Sequence, residues 1–189
     1  MKFYLLPICF VAFLLSATTT PATSLKPLNL EELSTQAPLI FYGEAIKNEV
    51  KNDAGSGQIA TFTTFKVIEL IKGQANAEHT IKQIGGRLPR SNIKMHVPGV
   101  PKFSTGKKYV VFLAEKSRLG FSSPLGLYQG TFSVDTIDGQ QVVSNGSRLS
   151  APPVTSIKPV QVPLAVNPEN PAQSSLSSFI NSVRAYNAK

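Results

Sequence analysis

Ile59-Ala-Thr-Phe-Thr-Thr-Phe-Lys-Val-Ile-Glu-Leu-Ile71 is the stretch on which the fold turns. Ala60, Phe62, Thr64, Lys66, Ile68 and Leu70 alternate with Thr61, Thr63, Phe65, Val67, Glu69 and Ile71, the two-residue period of a β-strand. Both sets carry bulk, as expected where a sheet curls around a core. Lys72-Gly73 ends the run. Upstream, Asn52-Asp-Ala-Gly-Ser-Gly57 is a turn cluster. Before it, Leu39-Ile-Phe-Tyr-Gly-Glu-Ala-Ile46 reads as a first strand, with Gly43 marking a bulge or bend. Pro38 closes a short helix within residues 25–37, for which Asn29 is the cap and Glu31 and Glu32 suit the first turn.

Downstream, His79 to Ile84 is a third strand. Gly85-Gly86 then opens a long irregular segment, Arg87 to Lys107, with Pro89, Pro98, Gly99, Pro101 and Gly106 as its turn and loop residues. Lys108 to Ala114 is a short buried strand, and Gly120 to Tyr128 a loop or edge strand. Gly130–Thr136 and Gln140–Ser144 pair across Ile137-Asp138-Gly139, a D-G hairpin signal. Residues 146–172, rich in Pro, Ser and Val, read as an extended linker or strap. Leu176, Phe179, Ile180 and Val183 form a helical stripe within a C-terminal segment, 173–189. No internal repeat is present.

Five or six strands without alternating helices predict an all-β fold with minor helix. The single long break between strands three and four predicts a five- to six-stranded barrel like the oligonucleotide/oligosaccharide-binding (OB) fold over residues 25–145. A short N-terminal helix and a C-terminal helix flank it.

The chain of 189 residues carries a net charge of +8 and one cysteine, Cys9. Met1-Lys2, the apolar run Phe3–Leu15 and the small-residue ending Ala22-Thr23-Ser24 have the three parts of a secretory signal. The run is shorter than the ~20 apolar residues a spanning helix needs, and Pro7 lies inside it. Residues 1–24 are therefore expected to be a cleaved leader, with Ala17 and Ala22 as alternative endpoints. Cys9 lies inside the apolar run rather than after it, which argues against a lipid anchor. The remaining chain has no cysteine and no apolar run of membrane-spanning length. It is expected to be soluble, and periplasmic or extracellular.

Five landmarks carry a resemblance: Leu39-Ile-Phe-Tyr-Gly-Glu-Ala45, Thr64-Phe-Lys-Val-Ile-Glu-Leu-Ile-Lys-Gly73, Ile84-Gly-Gly-Arg87, the run from Pro98 to Leu113, and Gly126-Leu-Tyr-Gln-Gly-Thr-Phe-Ser-Val134. On these, residues 38–145 resemble a class of exported bacterial proteins of unknown function. Their pattern is similar to the netrin-like/TIMP-like version of the OB barrel. TIMP-like inhibitors bind zinc through an N-terminal cysteine, which this chain lacks after its leader. The resemblance therefore implies a fold and not that mechanism.

Catalytic signatures are sparse. The two histidines, His79 and His96, have no H-x-x-x-H spacing, and no acid lies between His79 and Ala114, so the pattern offers no metal site. There is no G-x-S-x-G elbow and no phosphate-cradling glycine loop. Gly55-Ser56-Gly57 reads as a turn. The acids Glu31, Glu32, Glu49, Asp53, Asp138 and Glu169 fall at surface positions rather than as a hydrolytic pair. No catalytic residue, metal or cofactor is assigned. Asn145-Gly146-Ser147 matches a glycosylation sequon and reads as a turn.

Charge is the non-random feature. Lys82, Arg87, Arg90, Lys94, Lys102, Lys107 and Lys108 fall between His79 and Ala114 with no acid among them. A surface of one sign attracts anions and speeds encounters with acidic partners. Arg87, Arg90, Lys94, Lys102, Lys107 and Lys108 are accordingly the expected anion-binding set, against the plainer reading of a solubilising surface. The partner would be an acidic protein or another anionic envelope component, such as a glycolipid or polysaccharide. Nucleic acid is disfavoured, because Phe62, Phe65, Tyr109 and Phe112 sit where strands build core and because export removes the ligand. The leading expectation is a non-enzymatic binding module. The alternatives are a modulator or inhibitor of a secreted hydrolase such as a metalloprotease, and an unrecognised hydrolase.

Overall fold

A computed structural model describes residues 25–145 and 173–188. The expected leader and the 146–172 segment lie outside the described residues. Strands account for 46% of these residues and helix for 17%, so the chain is mostly β. In order, the elements are α1 (Leu30–Gln36), β1 (Leu39–Asp53), β2 (Gln58–Lys72), β3 (Glu78–Ile84), β4 (Gly86–Arg87), β5 (Lys94–Met95) and β6 (Lys108–Leu113). A 3-10 turn (Leu127–Gly130), β7 (Thr131–Ile137), β8 (Gln140–Ser144), β9 (Gln173–Ser175) and α2 (Leu176–Asn187) follow.

Seven strands form one antiparallel sheet in the order β3-β2-β1-β6-β7-β8-β9, while β4 and β5 pair separately. β3-β2-β1-β6 is a Greek key: three consecutive strands, then a fourth that returns by a long connection to lie beside the first. Two local signals seat the hairpins. Asp53 accepts bonds from the Ser56 amide and hydroxyl at 2.9 and 2.6 Å, which fixes the Gly55-Ser56-Gly57 turn. Asp138 and Gly139 both take positive φ, the requirement of a tight two-residue β-turn.

Strand alternation divides the interior between the two faces of the sheet. On one face, Ile40 and Tyr42 of β1 and Val110 and Phe112 of β6 pack against Leu33 and Ala37 and against the α2 stripe Leu176, Phe179, Ile180 and Val183. On the other, Phe41 and Ala45 of β1 and Tyr109, Val111 and Leu113 of β6 join Phe65, Ile81 and Phe103. Asn29 and Glu32 form a reciprocal capping box at the start of α1. At its other end, Lys72 Nζ donates to the carbonyls of Ser34 and Thr35 at 2.8 and 2.9 Å. Burial holds Lys72 below its ordinary pKa.

Several boundaries differ from the sequence expectation. β1 does not stop at Ile46 but runs to Asp53, because its polar second half is paired with β2 throughout. The register slips beside Tyr42 and Gly43, as a bulge at that glycine requires. Residues 173–175 form a strand on β8 before the helix starts at Leu176. The sheet has more strands than expected, and among the described residues no ladder joins β3 to β9. Instead the segment after β6 reaches over to β3. Its Pro124 bridges Leu113 of β6, and its Ser122 amide donates to the Lys82 carbonyl at 2.9 Å. Pairing of β2 with β3 ends at Lys66, and beyond it Ile68 and Leu70 are 47% and 39% exposed.

Candidate functional site: a basic cleft under the 85–103 loop

The inward face of the far half of the β1–β2–β3 sheet is polar where the near half is apolar. Thr61, Thr63 and Gln83 stand there in place of aliphatic residues, with Thr63 fully buried and Gln83 2% exposed, and Asn48 stands at their exposed margin. Each is bonded. The Thr63 hydroxyl donates to Asn48 Oδ1 at 2.7 Å, and Asn48 Nδ2 donates to the Phe103 carbonyl at 2.7 Å. Thr61 Oγ1 donates to the Gly85 carbonyl at 2.7 Å, and Gln83 Nε2 to the Pro101 carbonyl at 3.3 Å. The Ser104 amide donates to the Tyr109 hydroxyl at 2.9 Å. These bonds satisfy backbone groups that an irregular segment cannot pair with itself, and they pin residues 85–104 across the sheet.

Gly85 and Gly86 make the crossing possible. Both have positive φ, +92° and +141°. A Cβ at Gly86 would stand 2.5 Å from Val50 Cγ1, and one at Gly85 would stand 2.8 Å from the Met95 carbonyl oxygen. Gly99 and Gly106 also take positive φ, at +80° and +81°. Gly43 serves elsewhere, where β1 passes within 2.8 Å of the Lys66 carbonyl measured from a built Cβ.

Between the crossing segment and the sheet lies a cleft of about 300 Å³. Its walls include Val50, Ile84, Met95, Val97 and Val100, all half-buried, and Phe103 lies deeper. Arg87, Lys94, His96 and Lys102 are exposed along it, and its lining contains no carboxylate.

The expected basic set is thus divided. Arg87, Lys94 and Lys102 share the cleft. Arg90 lies next to it, at the tip of the β4–β5 ribbon, where it holds a left-handed φ of +60° and lines a second hollow with Arg87, Leu88 and Asn92. Lys107 and Lys108 do not line the cleft; Lys108 sits opposite Glu44 in the β1–β6 ladder. Lys82 is engaged elsewhere. Its ammonium stands 2.6 Å from Asp53 Oδ2, donates to the Leu119 carbonyl at 2.6 Å and lies over the Phe121 ring at 4.4 Å. The Lys82 and Ser56 bonds hold the Asp53 carboxyl below its ordinary value.

The histidines are separated as well. His96 lines the cleft, whereas His79 packs its ring 5.7 Å from Phe41 with its Nε2 buried and unpartnered. Burial, with the Lys116 charge adding to it, lowers its pKa from the ordinary 6.5. Among the described residues no three His, Cys, Asp or Glu side chains gather as a metal site, and no helix is long and apolar enough to cross a membrane. The sequence reading missed Asn48, Thr61, Thr63 and Gln83. The available signal was polar residues at the inward positions of otherwise apolar strands. No protein-family model and no curated protein matches the chain.

Proposed function

We propose that this protein is an exported, non-enzymatic binding module that takes an anionic partner on the 85–103 segment and the cleft beneath it. One observation carries the reading: a pinned cleft bordered by Arg87, Lys94 and Lys102 without a carboxylate in its lining. An uncompensated group of cations raises the local concentration of anions and orients them before contact. The bonds from Asn48, Thr61 and Gln83 keep the cations on a preformed surface, which reduces the ordering cost of binding. Export is supported by the Met1–Ser24 leader pattern. The Greek key of β3-β2-β1-β6, continued by β7, supports reading the curled sheet as a relative of the OB barrel, a fold that binds ligands on a sheet face and its neighbouring loops.

The test is charge reversal at Arg87, Arg90 and Lys94 to Glu, with retention on immobilised heparin as the readout. The variant should elute at clearly lower salt than the parent. The same reversal at Lys107 and Lys108 should shift elution less. Equal retention of the parent and the triple variant would reject the proposal.

A further inference from the structure

We infer that the cleft under the 85–103 segment is a site for a small amphiphilic anion of about ten heavy atoms in all, an apolar chain ending in one carboxylate or sulfate head. This rests on the anionic reading above and deepens it from a charged surface to a defined ligand class.

The inference follows from where each kind of group stands. The polar floor is already committed: Thr61, Thr63, Asn48 and Gln83 direct hydroxyl or amide hydrogens to protein acceptors. A ligand rich in hydroxyl groups would therefore find few donor hydrogens left on that floor and could only donate to it. The walls are Val50, Ile84, Met95, Val97 and Val100, which favour a desolvated apolar body. The cations are all at exposed positions, so Arg87, Lys94 and Lys102 meet a charged head at the mouth. A cleft of about 300 Å³ that is open on one side suits a ligand on the order of ten heavy atoms, its head included. A medium-chain carboxylate fits all three conditions. A bare inorganic anion uses only the rim, and a neutral hydrocarbon only the walls.

Binding of octanoate to the purified protein by calorimetry tests the site, with acetate and octanamide as probes lacking the apolar body and the charge respectively. Octanoate should bind saturably at one per chain. Acetate and octanamide should each bind at least ten-fold more weakly. Lys94→Gln with Lys102→Gln should weaken octanoate at least five-fold and leave octanamide unchanged. Val100→Trp should abolish octanoate binding with the circular dichroism spectrum retained; should that variant not fold, Met95→Trp is the second filling of the same space. Octanoate that does not saturate, or that binds no better than acetate or octanamide, overturns the inference, as does undiminished binding in the filled variant. If octanoate fails while the Arg87/Arg90/Lys94 reversal still loses heparin retention, the cleft ligand falls and the anionic surface stands. If both fail, both fall.

Discussion

The two faces of the seven-stranded sheet are closed by different means. The helix-covered face is sealed by apolar contact: α2 lays Leu176, Phe179, Ile180 and Val183 on Ile40, Tyr42, Val110 and Phe112. The other face is sealed by aromatic contact at one end and by hydrogen bonds at the other. Phe65 meets Phe41 and Phe103 edge-on at 5.3 and 4.9 Å, and Phe103 meets Tyr109 at 5.0 Å. Beyond Phe103 the sheet offers amides and hydroxyls in place of aliphatic chains. A helix satisfies its own backbone and asks only for apolar cover. An irregular crossing segment brings unpaired carbonyls, and the sheet beneath it must supply donors. The space left between those bonds is the cleft.

Truncating the aromatic ring on each face is the most severe way to separate them. Phe65→Ala and Phe112→Ala should each cost about 3–5 kcal/mol in urea unfolding, as removal of a buried ring does. Only Phe65→Ala should also speed amide exchange in residues 97–105, since Phe65 supports Phe103. Equal exchange in both variants would mean that the segment is not held from below.

Asn48→Ala comes next. It leaves the Phe103 carbonyl without its amide partner and removes the acceptor of the Thr63 hydroxyl, for an expected loss of about 1–3 kcal/mol. Proteolysis should become faster within residues 85–105, with the α2 face unchanged. A double-mutant cycle with Thr63→Val should show coupling; strict additivity would disprove the linked pins.

On the helix side, Lys72→Met removes the cation from the end of α1, at an expected cost of about 0.3–1 kcal/mol. Exchange should rise in residues 30–37 and nowhere near the cleft.

The mildest expected effect is one of pH. His79 has a folded pKa lowered from 6.5 by burial, so the unfolded chain takes up the proton first as pH falls. The stability it supports is complete above pH 6.5 and is lost as pH drops from there through the folded value. His79→Gln should flatten that part of the denaturation profile. A profile of the same slope in the variant would assign the effect to another group.

Much of the helix-covered face is legible in the sequence. The Leu176-Phe179-Ile180-Val183 stripe, the Asn29 cap and the Asp138-Gly139 turn are local signals, and each forms the element it predicts. The cleft is less legible because its parts are distant along the chain. Arg87, Lys94 and Lys102 are brought together by the glycine crossing, but nothing in charge spacing separates them from Lys107 and Lys108, or from Lys82, whose charge is spent on Asp53. The length of β1 past Ile46 was hidden for a related reason. Lys47–Asp53 has the composition of a loop and becomes strand only through its partner. β9 is too short to show a period.

Beyond Val67, whose amide donates to the Ala77 carbonyl at 2.8 Å, β2 keeps β1 on one side and has no strand on the other among the described residues, while Ile68 and Leu70 stand exposed. An uncovered backbone rim with aliphatic side chains is a template for strand addition by another copy. Lys66 stands at the start of the stretch as a gatekeeper, and a net positive charge of the kind this chain carries is expected to oppose association of copies. Salt screens that repulsion but leaves the rim unchanged. High ionic strength is therefore expected to favour self-association through this strip, with the excess of positive charge guarding colloidal stability.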